Sequence, residues 1–223
     1  MTGYGFGDGI PIAPIAPGST VLVAGPALSR AVALARSLVA DGADAGEGGL
    51  FISTNETCRK LMAACRRTHP GIDGRRVGII DCSGQEMGQS DLEARVKYVS
   101  TQSDLTGIGM KFSALYEALY ADVPDGRVRT SLISLSSLAM YVDLRTLFQF
   151  VQTLSGRIDS ADGLGVFAID PTTHDTRAVN TLSQVADARI EVREPDGSEA
   201  DGELRVRGLA DQPGGWKPFT LPS

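Results

Sequence analysis

The stretch Thr20-Val-Leu-Val-Ala-Gly-Pro-Ala-Leu-Ser-Arg-Ala-Val-Ala-Leu-Ala-Arg-Ser-Leu-Val-Ala40 decides the fold. Thr20 to Ala24 is apolar and too short for a helix, so it reads as a buried strand. Gly25-Pro26 breaks the run, and Ala27 to Ala40 then places Leu28, Val32, Ala35 and Val39 on one helical face. Outward from this unit the pattern repeats. Gly49 to Ser53, Val77 to Asp81, Thr130 to Leu135 and Gly165 to Ile169 are further short apolar runs. Between them, Glu56 to Thr68 reads as a helix capped by Thr54 or Asn55 that groups Cys58, Leu61, Met62 and Cys65. Leu105, Ile108, Phe112, Leu115 and Leu119 recur at helical spacing, as do Leu144, Leu147, Phe148, Val151 and Leu154. Strand-helix alternation predicts an α/β fold, a mostly parallel central sheet flanked by helices. The tail differs: Ala188 to Glu194 and Glu203 to Arg207 alternate around Pro195-Asp196-Gly197, which predicts a C-terminal antiparallel hairpin extending the sheet. Its charges Arg189, Glu191 and Arg193 would blunt the edge.

Composition narrows the function classes. The chain has 223 residues, 42% hydrophobic and 22% charged, enough to bury one substantial core. A net charge of -6 and a pI near 5.0 argue against a surface built to neutralise nucleic-acid phosphates. Cys58, Cys65 and Cys82 form no C-x-x-C pair and no disulfide framework, which fits a reducing cytoplasm. A leader sequence and a membrane-length apolar run are both missing from the pattern, so a cytoplasmic location is expected. Only four of the 21 basic residues are lysine, beside 27 acids, and this leans toward proteins of salt-loving archaea.

Three blocks in order, Ile15-Ala-Pro-Gly-Ser-Thr-Val-Leu-Val-Ala-Gly-Pro26, Gly49-Leu-Phe-Ile-Ser-Thr-Asn-Glu56 and Trp216-Lys-Pro-Phe219, resemble the KaiC-like branch of the RecA superfamily. The resemblance covers roughly residues 12 to 221. It implies a RecA-like P-loop fold, with residues 1-14 as an N-terminal segment and 15-223 as one domain. It also implies ATP as the family's ligand, a ring or dimer as the assembly, and a role in regulation or signalling.

The family's nucleotide-handling positions are replaced here. Where G-x-x-x-x-G-K-[ST] would cradle phosphates, the chain reads Gly25-Pro-Ala-Leu-Ser-Arg-Ala-Val32. Arg30 stands for the second glycine, Ala31 for the lysine and Val32 for the metal-binding hydroxyl. Ser134, ending Thr130-Ser-Leu-Ile-Ser134, stands for the aspartate that orders magnesium. Of the two adjacent glutamates expected after the second strand, Asn55 replaces the first and Glu56 remains. Glu56 reads as a general base if it faces the pocket, or as a first-turn helix acid favoured by the dipole. Gly25, Ser29 and Arg30 are the remnant positions that could still meet a nucleotide; otherwise Pro26 starts the helix, the old loop becomes its first turn and Leu28 becomes a core or cap contact.

Other chemistry is thin. His69 and His174 lack partners at metal-ligand spacing and read as surface residues, so no metal site is expected. Cys82 reads as strand packing, Thr106-Gly-Ile-Gly109 as a close helix contact and Lys111 as a solvated lysine. Arg59, Lys60, Arg66, Arg67, Arg75 and Arg76 form the basic concentration, either a solvated face or a site for an acidic partner or phosphate. Phe150, Tyr116, Tyr120 and Tyr141 hint at exposed aromatic area. The expectation is a degenerate KaiC-like pseudo-ATPase without cofactor, acting as a regulatory or protein-interaction module. The alternatives are a slow ATPase that uses Arg30 for charge and Glu56 as base, and a recombinase-like nucleic-acid module.

Overall fold

Apolar strands cannot leave either face of a parallel sheet in water, and here helices cover both. The structure, a computed structural model, describes residues 3–84, 92–197 and 199–222. In chain order its elements are β1 (Thr20–Ala24), α1 (Ala31–Asp44), β2 (Gly48–Ser53), α2 (Cys58–Thr68), β3 (Val77–Asp81), β4 (Arg95–Tyr98), α3 (Leu105–Asp122), β5 (Val128–Leu132), α4 (Leu135–Leu138), α5 (Leu144–Ser160), β6 (Leu164–Ile169), α6 (Thr176–Ser183), β7 (Ala188–Arg193), β8 (Gly202–Arg207) and β9 (Lys217–Phe219). Among the described residues they form a nine-stranded sheet in the order β4-β3-β2-β5-β6-β1-β7-β8-β9. The pairings from β4 to β7 are parallel, whereas β7-β8 and β8-β9 are antiparallel. Successive side chains of a strand go to opposite layers: Phe51 joins Leu34, Leu38 and Leu61 on the α1-α2 side, while Leu50 and Ile52 join Phe112, Leu147 and Phe167 on the α3-α5 side.

Several boundaries move from the sequence expectation. Helix α1 starts at Ala31, not Ala27, and buries Ala31, Leu34, Ala35, Leu38 and Val39. Leu28 is 83% exposed and Val32 40% exposed, so neither is a core or cap contact. Helix α2 starts at Cys58 behind Thr57, which leaves Glu56 outside it. Strand β5 ends at Leu132, because Ser134 turns the chain by accepting from the Ser137 N–H as the cap of α4. The edge strand β4 escaped the reading, since Arg95 and Lys97 alternate with Val96 and Tyr98 over only four residues. So did the short α6, whose cap Asp175 accepts from the Ala178 N–H.

The Trp216-Lys-Pro-Phe219 block is a structural device. Phe219 is buried, β9 closes the sheet on β8, and Trp216 lies under the guanidinium groups of Arg193 (4.3 Å) and Arg205 (4.5 Å). Glu191 accepts from Arg205 and Arg207 on the same hairpin.

At the opposite end of the strands a charged cluster ties down the chain's beginning. Arg129, 3% exposed, donates from Nε to Glu47 (2.5 Å), from Nη1 to the Leu38 carbonyl (2.8 Å) and from Nη2 to the Gly5 carbonyl (2.9 Å). Arg127 lies over the ring of the buried Tyr4 and donates to Glu47 at 2.8 Å. Tyr4, Ile10, Ile12 and Ile15 are buried in the α1-side core.

His69 corrects the expectation of a surface histidine: it is 3% exposed, with Nε2 3.9 Å from Asp41 and without a hydrogen-bond partner. Burial, helped by Arg129, holds its pKa below the ordinary value against the pull of Asp41 and Asp44. The unfolded chain therefore takes up the proton more readily. His69 contributes stability that is full above about pH 6.5 and is lost as pH falls through its folded-state pKa. Asp41, raised by burial, acts with the opposite sign at lower pH. His69→Gln should flatten the fall of melting temperature as pH is lowered below about 6.5; an unchanged slope would remove His69 from that account.

Candidate functional site

Crevices in open α/β sheets form beyond the carboxyl ends of strands, where neighbouring connections diverge. Here the loops after β1, β2, β5 and β6 enclose a cavity of about 510 Å³. Gly25, Ala27 and Val32 form one wall, Asn55 another, and Ile133, Ser134, Ser136, Ser137 and Met140 a third. Ala168, Ile169, Asp170, Thr173 and His174 close it.

The turn after β1 is bonded to itself. The Gly25 N–H donates to the Ile169 carbonyl at 3.2 Å, and the Ser29 N–H donates to the Pro26 carbonyl at 2.9 Å. Ser29 Oγ reaches the same carbonyl at 2.6 Å. A Cβ on Gly25 would overlap Ser29 Oγ and the Val192 carbonyl, so only glycine fits under this coil. Arg30 stands at the start of α1 with φ 65°, a left-handed conformation that costs a non-glycine residue about 1–2 kcal/mol. Its guanidinium points to Asp201 of the hairpin end, 3.7 Å away, and not into the cavity. Arg30→Gly should be near neutral in melting temperature, whereas Arg30→Ile should destabilise by about 1–2 kcal/mol, because a β-branched residue is a genuine outlier there. Equal melting temperatures for the two variants would contradict the strained turn.

No side chain caps α1, so its first N–H groups and its dipole still favour an anion. That attraction is about 0.3–1 kcal/mol, against about 1.5–3 kcal/mol for each charge-assisted hydrogen bond that Ala31 and Val32 cannot make. The losses win. No Lys or Arg lines the cavity among the described residues.

The other expected positions divide. Asn55 and Ser134 reach the cavity: Ser137 Oγ donates to Asn55 Oδ1, and Ser134 Oγ lies 3.0 Å from Ser137 Oγ. A hydroxyl network thus occupies the region where the family resemblance implies magnesium chemistry, and neutral oxygens are poor compensation for a divalent cation. Glu56 does not line this cavity. It lies before α2, 3.4 Å from Arg36, and borders a separate hollow of about 380 Å³ with Lys60, Ser83 and Gln102. The helix-acid reading of Glu56 is also corrected, since Thr57 is the cap.

Among the remaining candidates, the close helix contact expected at Thr106-Gly-Ile-Gly109 is corrected: a Cβ on Gly109 would meet nothing within 4 Å, and Gly107 donates its N–H to Asp104 Oδ1, the cap of α3. Burial pushes the thiols of Cys65 and Cys82 up to about 12. Arg75 is engaged by Asp73 and Arg76 by the Gly46 carbonyl, which breaks up the basic concentration. Tyr116 is buried, while Tyr120 and Tyr141 are exposed. Met140 was missed by the sequence reading: it is 80% exposed beside the cavity, and a lone methionine after a serine-rich turn carries no periodic signal.

The mostly parallel sheet flanked by helices, with its antiparallel C-terminal strands, matches a RecA-like α/β fold. The profile of a family described as a family of unknown function (DUF7504) matches residues 18–192, and the chain belongs to that family. Among solved structures, the crystal structure of a KaiC-like protein from the hyperthermophilic archaeon Pyrococcus horikoshii is similar. It shares 14% sequence identity at a TM-score of 0.62, over 99% of this chain and 91% of that one. No curated protein matches the chain.

Proposed function

We propose that this protein is a KaiC-like pseudo-ATPase: a RecA-like domain that neither captures nor hydrolyses ATP and works in the cytoplasm as a regulatory module through a protein partner or self-assembly. The observation that carries the reading is the turn after β1. Its Ser29 N–H and hydroxyl are spent on Pro26, its cation Arg30 is directed to Asp201, and Ala31 and Val32 follow where a lysine and a hydroxyl would be needed. Glu56, the surviving acid, is placed with Arg36 outside the cavity. Exposed Leu28, Val32, Met140 and Tyr141 at this end of the molecule support a role in contacts. No helix among the described residues is long and apolar enough to cross a membrane. Phosphate release from magnesium-ATP should be indistinguishable between the native chain and Glu56→Ala. Turnover that falls at least tenfold in that variant would establish a slow ATPase instead.

A further inference from the structure

We infer that the arginine-bearing face of the β7-β8 hairpin is a docking surface for an extended acidic segment of a partner protein, one whose carboxylates alternate along the chain. The inference rests on the reading that the domain works through a protein partner, and goes beyond it by naming the surface and the partner's chemistry. Strand alternation builds the face. Ile190, Val192 and Leu204 turn into the α1-side core, and among the described residues none from β7 or β8 joins the core on the α3-α5 side. That second face stays open, and it carries Arg189, Glu191 and Arg193 of β7 opposite Arg207, Arg205 and Glu203 of β8 respectively.

Charge does not balance there. Glu203 is taken by Arg193 through a 2.7 Å hydrogen bond, and Asp187, the carboxylate before β7, accepts from the Thr20 N–H. Glu191 then faces three guanidinium groups: it accepts from Arg205 and from Arg207 (3.2 Å), while Arg189 stops at 3.7 Å, too far for a hydrogen bond. Arg189 and Arg207 also sit directly opposite each other across the two strands, a like-charge pairing that is destabilising on its own. Each guanidinium carries only donors, so one carboxylate cannot fill three of them. The side chains of Arg207 and Arg189 are 58% and 30% exposed, which leaves donors within reach of a partner. The net charge of -6 does not cancel this surplus, because at physiological salt exposed charges more than about 8 Å apart are largely screened.

Spacing selects the partner. Arg205 and Arg207 stand two residues apart on one strand, about 6.6 Å, and carboxylates at every second position of an extended segment repeat at the same interval. A guanidinium fork takes each carboxylate through two parallel N–H···O bonds. Stacking of Arg193 and Arg205 on Trp216 orders this face before a partner arrives. A nucleic-acid backbone fits less well, since its affinity comes from a run of cations and Glu191 and Glu203 interrupt the run here.

The experiment titrates the full chain into a fluorescein-labelled peptide of alternating threonine and glutamate, followed by anisotropy at about 0.1 M salt. The expected result is saturable binding that a threonine-glutamine peptide does not show and that Arg189→Ala with Arg207→Ala weakens at least tenfold. Both side chains reach solvent, so the melting temperature should hold. Arg207→Lys, which keeps the charge and loses the fork, should bind between the native chain and Arg207→Ala. Lys60→Ala with Arg67→Ala removes the same charge from α2 and should leave the affinity unchanged. Absence of saturable binding, equal binding of the glutamine peptide, or equal weakening by the α2 pair overturns the docking surface and leaves the pseudo-ATPase reading to be decided by phosphate release. Labelled oligothymidylate that binds as tightly as the glutamate peptide would assign the face to nucleic acid and overturn the acidic protein partner.

Discussion

Replacing Arg129 by methionine should lower stability by about 3–5 kcal/mol, the cost of stranding buried charges whose partner is removed. Arg129 is 3% exposed, and its loss leaves the half-buried Asp41 without its nearest cation and Glu47 with Arg127 as its remaining partner. It also frees the carbonyls of Leu38 and Gly5. For a chain of this length the change corresponds to a fall in melting temperature on the order of 10 °C, measurable by calorimetry. Arg129→Lys should recover little of it, because an ammonium cannot serve Glu47, Leu38 and Gly5 in one plane. A loss below about 1 kcal/mol for Arg129→Met would mean that water reaches these groups and that the cluster does not latch residues 3–7 onto the domain.

The second large effect is a gain. Rebuilding the phosphate turn with Arg30→Gly, Ala31→Lys and Val32→Thr together should raise affinity for magnesium-ATP at least about 100-fold. Two charge-assisted contacts at about 1.5–3 kcal/mol each supply that factor. Arg30→Gly suits the left-handed backbone already present at this position, with φ 65°. The uncapped end of α1 supplies the dipole. Adding Ser134→Asp should make the gain dependent on magnesium. Titration calorimetry on the native chain and the rebuilt variants checks this. No gain in any rebuilt variant would mean that the self-bonded Pro26–Ser29 turn, and not the missing side chains, excludes the nucleotide.

Much of the architecture was legible from residues alone because buried strands leave a strong signal. Thr20–Ala24 and Val77–Asp81 coincide with their apolar runs, and the hairpin followed from alternation around Pro195-Asp196-Gly197. The errors sit where a few hydrogen bonds outweigh periodicity. Leu28 and Val32 fit a helical stripe, yet Ser29 coils onto Pro26 and delays the helix to Ala31. Thr130 to Leu135 reads as one apolar run, yet the hydroxyl of Ser134 ends it. At the site, the replacement of lysine, hydroxyl and aspartate could be read directly, since those are identities. Where Arg30 and Glu56 point could not, because Asp201 and Arg36 lie 171 and 20 residues away in sequence. The burial of His69 was equally hidden: Asp41 and Arg129 reach it only through the fold.

The most direct measurement is calorimetric titration of the unmodified protein with magnesium-ATP. The account predicts no saturable heat below about 1 mM nucleotide, with or without magnesium. A dissociation constant near 10 μM that requires magnesium and is lost on Arg30→Ala would contradict it.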